Sequence, residues 1–296
     1  MNGISVIIPS LHRTEFLINT LKDLVKQVCD LPFEIVIVDQ SNEMDKEVLN
    51  FCEEYSFCNY YHINFFKGLP EARNYGWQKS KYNYILFLDD DIQCDENLLK
   101  EHFSILKNDS VGVVAGGIVE IHKKNQECKI GDFNYWTATP LRGFHKQGTI
   151  EVIHGGGGNF STKKEVLVNV NGIDENLTKG AALYEETDFC LRVKQAGYIV
   201  MFHSKASVNH LAAETGGCRV PDIKKYIASL VRNRSLIISR HVKGFYKITA
   251  TLYLLRLVSA YAFSYKDVSL FKQFITSFKE GFSVGKKEVT CTKYGQ

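Results

Sequence analysis

The chain alternates short apolar runs with segments of helical spacing. Ile4-Ser5-Val6-Ile7-Ile8-Pro9-Ser10 is a β-branched run stopped by proline and reads as a buried strand. From Thr14 onward, Phe16, Leu17, Thr20, Leu21, Leu24 and Val25 recur at helical spacing. Glu34 to Val38 is a second strand, closed by Asp39, and residues 45–55 return as a helix. This β-α-β alternation predicts a parallel sheet with right-handed crossovers. Gly68 to Gly76 opens another helix, with Pro70 suited to its first turn. Tyr84-Ile85-Leu86-Phe87-Leu88 is apolar throughout and ends abruptly in Asp89-Asp90-Asp91. Val111 to Val119 is a further apolar run.

The second half is less regular. Gly155-Gly156-Gly157-Gly158 precedes Asn159-Phe160-Ser161 and a helix-like stretch from Lys163 to Val170. Four glycines are entropically costly to order, so they suit a sharp bend or a close approach of backbone to a ligand. Tyr184-Glu185-Glu186-Thr187-Asp188 leads into a helix expected over Thr187–Lys194, and Gly197 turns the chain into a final strand ending near Phe202. Helices are expected over Asp222–Ser239 and residues 248–265, the latter interrupted by Arg256, which argues against a membrane span. A last helix places Val268, Phe271, Phe274, Ile275, Phe278 and Phe282 on one face, with lysines elsewhere.

Charge divides the chain. The formal net charge is +3, yet residues 218–296 hold 15 Lys/Arg against 4 Asp/Glu, while residues 1–217 hold 21 against 29. An acidic front domain over 1–217 and a basic, mainly helical extension over 218–296 follow, the extension facing something anionic. Its last helix has the pattern of an amphipathic helix lying on an anionic membrane, or of one packed on the domain or a partner. Aromatic residues are not interleaved with basic ones in the front domain, which excludes a nucleic-acid partner. The eight cysteines include no C-x-x-C pair, so neither a zinc site nor a disulfide framework is expected. The first apolar run is too short for a signal peptide, and a cytoplasmic protein, peripheral at most on the inner membrane face, is expected.

The chemistry-bearing residues are acidic. Three carboxylates at the carboxyl end of a buried strand sit where open α/β sheets bind ligands, and their mutual repulsion calls for a cation such as Mg²⁺ or Mn²⁺. Arg73, near a helix N-terminus, is either an anion contact or a surface arginine. Glu185 and Glu186 either supply a general base or simply favour a helix N-terminus. His210 is a metal ligand only if Asp91 lies nearby. Phe133-Asn134-Tyr135-Trp136 belongs either to an acceptor site or to a core loop. No G-x-G-x-x-G turn follows the first strand, which argues against a dinucleotide oxidoreductase.

Taken in order, these segments resemble the family-two inverting glycosyltransferases. They are Ser5–Pro9, Val38-Asp39, Gly68…Ala72-Arg73-Asn74…Gly76, Phe87–Asp91, Gly158–Ser161, Glu185–Asp188 and His210…Gly216-Gly217, covering roughly residues 3–220. The resemblance implies the GT-A fold, a Rossmann-like, mixed but mostly parallel sheet flanked by helices. It implies transfer of a sugar from a nucleotide-diphosphate donor, a UDP-sugar by preference, to a saccharide or lipid-linked acceptor in cell-surface polysaccharide synthesis. By the same resemblance, Pro9, Ser10, Arg13, Asp39, Arg73, Asp89, Asp90, Gly158 and Asn159 border the nucleotide sugar. Asp91, with Asp89 and His210, holds a divalent metal, Mn²⁺ or Mg²⁺. Glu186 is the base, with Glu185 and Asp188 as alternatives, since the family's usual Glu-Asp pair is Glu-Glu here. A nucleotidyltransferase would need a glycine-rich triphosphate loop where Ser10-Leu11-His12-Arg13 stands, and a silent scaffold would be expected to lose the acidic centres.

Overall fold

The computed structural model describes residues 1–122, 124–125, 127–213, 220 and 222–295. Gly216, Gly217, Cys218 and the expected domain boundary lie outside the described residues. The front of the chain runs β1 (Ile4–Ser10), α1 (Thr14–Leu24), β2 (Phe33–Asp39), α2 (Lys46–Glu53), β3 (Cys58–His62), α3 (Leu69–Lys79), β4 (Tyr84–Leu88), β5 (Ile92–Cys94), α4 (Leu98–Leu106) and β6 (Val111–Glu120). A hairpin of β7 (Asp132–Asn134) and β8 (Thr139–Leu141) follows, then β9 (Thr149–Glu151), β10 (Asn159–Lys163), α5 (Lys164–Asn169), α6 (Glu185–Gln195) and β11 (Ile199–His210). Three helices close the chain: α7 (Ile223–His241), α8 (Tyr246–Ser264) and α9 (Ser269–Val284).

Among the described residues, nine strands form one sheet in the order β3-β2-β1-β4-β10-β6-β11-β5, with β9 also on β11. β1, β2, β3 and β4 are parallel neighbours, as are β6 and β11, while β10, β5 and β9 run against them. The period-two alternation decides the layers. Ile7, Val36, Val38 and Phe87 face a core closed by α3, α5 and α6. Val6, Ile8, Ile35, Ile37 and Leu86 face the opposite core under α1, α2 and α4.

Three expectations change. Asn159–Lys163, which leads into the expected helix as α5, is itself a central antiparallel strand; its polar side chains are buried and bonded, Thr162 Oγ1 donating to Gly112 O at 2.7 Å. β11 continues past Phe202 to His210, with a register shift between His203 and Ser207. α6 starts at Glu185, two residues early, from a left-handed Tyr184.

The tail also departs from its expected surface role. The apolar stripe of α9 packs on α7 and α8 through Leu270 and Phe274, with Phe271, Phe278 and Phe282 against the same core. Ser277, Gly281 and Gly285 share a helical stripe. A Cβ on Gly285 would meet Leu236 O at 2.6 Å, so glycine permits the close crossing of α9 on α7. The basic charge turns partly inward: Arg232 pairs with Glu280 at 2.8 Å, and Arg240 pairs with Asp174 and Asp188. This bundle shares its core with Phe133, Leu177, Tyr184 and Leu191.

Inside the front domain, His102 is buried between α4 and β10. Asn159 spends its amide hydrogens on Gly117 O and Ala206 O, so its Oδ1 accepts from His102 Nε2 at 2.8 Å, and Ser161 Oγ donates to Nδ1 at 2.9 Å. Burial pushes the ring down to about 4. An unfolded histidine titrates near ~6.5, so as pH falls through that value the unfolded chain binds a proton that the folded chain refuses. Stability is therefore expected to drop by roughly 3 kcal/mol between about pH 6.5 and 4 on account of His102. Urea unfolding of wild type and His102→Gln across this window checks it: the variant should lack this part of the slope.

Candidate active site

The site lies along the carboxyl ends of β1, β2 and β4. The parallel register sets Ser10 beside Asp39, and β4 carries Asp89–Asp91 just beyond its end. Asp91 is brought to His210 by strand pairing. β5 begins at Ile92, which pairs antiparallel with His210, and Leu211 N donates to Asp91 O at 2.9 Å. Ala213 N donates to Asp91 Oδ2 at 2.8 Å. His210 Nε2 lies 3.3 Å from Asp91 Oδ1, and its Nδ1 lies 3.0 Å from Glu120 Oε2, Glu120 being its partner in β6.

Asp89, Asp91 and His210 each offer a ligand atom within 4.8 Å of the others. The residues fit a hard divalent cation. Asp91 Oδ1 is buried with no hydrogen bond, and Glu120 accepts from Nδ1 so that Nε2 is turned toward the carboxylates, the arrangement that orients a ligating histidine. Burial disfavours a charged His210, but Asp91, Glu120 and Asp89 outweigh it and raise the ring to about 10. Burial likewise opposes charge on Asp91, yet His210, Arg13 and the Ala213 N–H hold its carboxyl below the usual range. A bound cation would replace the proton that His210 otherwise keeps. Asp90 points away from the cluster: Ser10 Oγ donates to it at 2.8 Å and Arg13 Nη1 at 2.7 Å. Burial pushes Asp90 up to about 6, with Arg13 opposing and Asp91 adding.

Two cavities meet at this edge. One, of about 670 Å³, is lined by Pro9, Ser10, Arg13, Gln40, Gly68, Asp89–Asp91 and Thr178–Ala181. The other, of about 380 Å³, is lined by Gly156–Gly158, Glu120, Arg142, Glu185 and Glu186. Asp89 and His210 belong to both. The glycine run lies where side chains would not fit: a Cβ on Gly158 would come 2.7 Å from Asp89 Oδ2, and one on Gly156 2.5 Å from Ile118 Cδ1.

The expected residues fall into place unevenly. Pro9, Ser10, Arg13, Asp89, Asp90 and Gly158 do border the cavities. Asp39 does not line them. Its Oδ1 accepts from Ser41 N and Oγ, and its Oδ2 from Tyr60 OH at 2.5 Å, while adjacent Gln40 reaches the cavity. Asn159, expected beside the sugar, is turned into the core instead. Arg73 is wholly buried, bonded to Glu185 Oε1, to Gly157 O at 2.6 Å, and 3.6 Å from Asp89. Glu186 faces the smaller cavity, where Arg142 Nη2 donates to it at 3.0 Å. Asp188 is enclosed by Arg192, Arg240 and His241. Burial opposes its charge, but these partners hold the carboxyl well below the usual range, so it lacks the exposure a proton acceptor needs. Sequence reasoning missed Glu120, Arg142 and Gln40. Gln40 and Glu120 are single polar residues just past runs read as strands, and Arg142 lies in a stretch without a motif, so only the sheet and hairpin bring them to the site.

The sequence pattern of the family described as Glycosyl transferase family 2 matches residues 5–170, more than half the chain. The chain belongs to glycosyl transferase family 2. It is 24% identical over 218 residues to a glucosyl-dolichyl phosphate glucuronosyltransferase of Haloferax volcanii, covering 68% of this chain and 66% of that protein. It is 31% identical over 108 residues to an uncharacterized glycosyltransferase of Rickettsia bellii, covering 36% of this chain and 15% of that protein. The chain thus spans under two thirds of the length of these curated relatives. Among solved structures, Staphylococcus aureus TarS 1-349 with UDP-GlcNAc superposes with TM-score 0.67 at 18% identity, over 94% of this chain and 80% of TarS. Mannosyltransferase PcManGT of Pyrobaculum calidifontis, with GDP-Man and Mn²⁺, gives 0.58 at 13%, over 95% and 85%. These likenesses establish the GT-A fold expected of the family-two transferase, with its C-terminal helical extension.

The cluster makes a direct prediction. Asp91→Ala is expected to abolish Mn²⁺ binding measured by electron paramagnetic resonance, and Glu120→Gln to weaken it about 10- to 100-fold by releasing the His210 ring. Unaltered Mn²⁺ affinity in Asp91→Ala would remove the cluster as the metal site.

Proposed function

We propose that this transferase moves a sugar from a nucleoside-diphosphate donor to an acceptor hydroxyl with inversion, Glu186 serving as the base. The observation that carries the reading is the junction of the two cavities. One holds the metal-ligand cluster at the ends of β4 and β11, the other presents the Glu186 carboxylate, and Asp89 and His210 line both. The larger cavity is the donor site, with Pro9, Ser10, Arg13 and Gln40 around the nucleotide. The UDP-GlcNAc bound in TarS supports a uridine donor, with the GDP-Man bound in PcManGT making guanosine the alternative.

In this reading the acceptor enters the smaller cavity. Glu186 takes the proton of the attacking hydroxyl as the bond to the anomeric carbon forms and the bond to the diphosphate breaks. Arg142 holds the Glu186 carboxylate toward the cavity, and Arg73 neutralises Glu185 beneath it. Glu185 is thereby a buried partner of Arg73, which leaves Glu186 the better base. A divalent cation held by Asp89, Asp91 and His210 supplies Lewis-acid stabilisation of the departing diphosphate when bound.

The acceptor is read as a saccharide carried on lipid at the anionic inner face of a membrane. No helix among the described residues is long and apolar enough to cross one. The support comes from α8 rather than from the covered stripe of α9. Opposite its buried Ala250, Leu254 and Val258, α8 exposes Ile248, Leu252 and Phe263, and Trp136 of the β7–β8 turn packs 4.9 Å from the Tyr246 ring. Lys243, Arg256 and Lys266 flank this face, and α8 carries no acidic residue. The Haloferax relative's name includes a dolichyl-linked phosphate, which agrees with such an acceptor.

Glu186→Gln is expected to lower kcat by roughly 10²- to 10⁴-fold while Mn²⁺-dependent UDP affinity stays unchanged. Equal losses of binding and turnover would argue for a structural role instead. For the membrane reading, wild type should co-sediment with phosphatidylglycerol vesicles at low salt, and the pair Ile248→Glu and Leu252→Glu should not. Equal partitioning of both proteins would leave α8 without that role.

A further inference from the structure

Residues 178–184 form the wall between the two cavities. Thr178, Lys179, Gly180, Ala181 and Leu183 border the larger one, and Ala181 to Tyr184 the smaller. The stretch is conformationally unfavourable by itself. Gly180, Ala182 and Tyr184 have φ of 67°, 46° and 73°, and two of these are not glycine. Something outside the loop must hold it in this shape.

That support comes from α7, which lines neither cavity. Asn233 is wholly buried and donates to Leu177 O at 2.9 Å and Leu183 O at 3.2 Å, spanning the loop from end to end. Ser229 Oγ donates to Lys179 O at 2.7 Å and accepts from Ala181 N at 3.3 Å. Arg234 donates to the Tyr184 hydroxyl through both Nε and Nη2, at 3.0 and 2.6 Å. Arg232 donates to Asn176 O at 2.5 Å, and Glu280 of α9 joins Arg232 to Lys179. Gly180 fits against Ser229 only without a side chain, since a Cβ would meet Ser229 Cβ at 2.5 Å. The bonds from Ser229, Asn233 and Arg232 end on backbone carbonyls and an amide, so they set the path of the segment whatever its side chains do, while Arg234 and Glu280 hold the Tyr184 and Lys179 side chains.

We propose that Ser229 and Asn233 are positioning residues that shape the donor cavity from outside, making the C-terminal helices part of the donor site. The inference rests on the donor-site reading above. It assigns to α7 a function in substrate binding that neither its apolar core contacts nor its charge explains.

The test uses full-length Ser229→Ala and Asn233→Ala, with Mn²⁺ and UDP as probes. Hydrogen exchange of the peptide covering 176–184 should accelerate about 10-fold in each variant. Calorimetric affinity for UDP in the presence of Mn²⁺ should weaken about 10-fold, while affinity for Mn²⁺ alone is unchanged, because its ligands sit on β4–β5 and β11. A lowered melting temperature with unaltered exchange and unaltered UDP affinity of the folded protein would overturn the proposal. Should Asn233→Ala fail to fold, Ser229→Ala carries the same measurements. If wild type binds Mn²⁺ but no UDP, the donor assignment fails by itself; faster loop exchange in the variants then still supports the pinning by α7, and unaltered exchange overturns it.

Discussion

A single buried guanidinium organises the acidic centre. Arg73 enters from α3 with no solvent exposure, bonds Glu185 at the start of α6, and reaches Gly157 O and the Asp89 carboxylate. Its face also lies 5.3 Å from the Phe160 ring. Carboxylates this deep need a counter-charge with matching geometry, because removing one partner leaves the other uncompensated in a medium of low polarity. Arg73 thereby ties together the strand that carries the metal ligands, the glycine run, and the helix that carries Glu186. The close approach of the glycine run to Asp89 is what excludes a side chain at Gly158.

A second layer of charge repeats this arrangement farther back. Asp188 is held by Arg192 of its own helix and by Arg240 and His241 of α7, and Arg240 also holds Asp174, so α6 is joined to α7 through buried polar contacts. The C-terminal residues then return across the front domain. Thr292 and Tyr294 bond Glu175 and Gln78, and the Tyr294 ring packs 5.4 Å from Tyr75 of α3. The helices after β11 are thus built into the front domain through polar as well as apolar contacts. Part of the basic excess of residues 218–296 turns inward: Arg232, Arg234 and Arg240 serve internal carboxylates, carbonyls and a phenol.

The strands β1, β2, β4 and β6 were legible as short apolar runs buried on both faces, α1 by its apolar spacing, and α3 by Pro70 in its first turn. β10 was not. Its Asn-Phe-Ser-Thr-Lys run has one apolar residue, and it is a central strand only because His102, Gly112 and the flanking strands satisfy its polar groups. The apolar stripe of α9 was legible as a stripe, but amphipathicity says that a face is covered without saying by what.

The sequence by itself determined the chemistry available: an acidic strand end, a glycine run, a Glu-Glu pair and a downstream histidine, in an order shared with family-two transferases. Local patterns carry this much because residue type and spacing are written along the chain. Tertiary structure alone decided which of those groups meet. The antiparallel pairing of Ile92 with His210 put a histidine beside Asp91 across more than a hundred residues. Burial against Arg73 and Arg142 gave Glu185 and Glu186 different surroundings, although they are neighbours in sequence. Enclosure by two arginines and a histidine withdrew Asp188, and the turn of β10 into the sheet withdrew Asn159. Such outcomes depend on partners distant in the chain, and no window of sequence contains them.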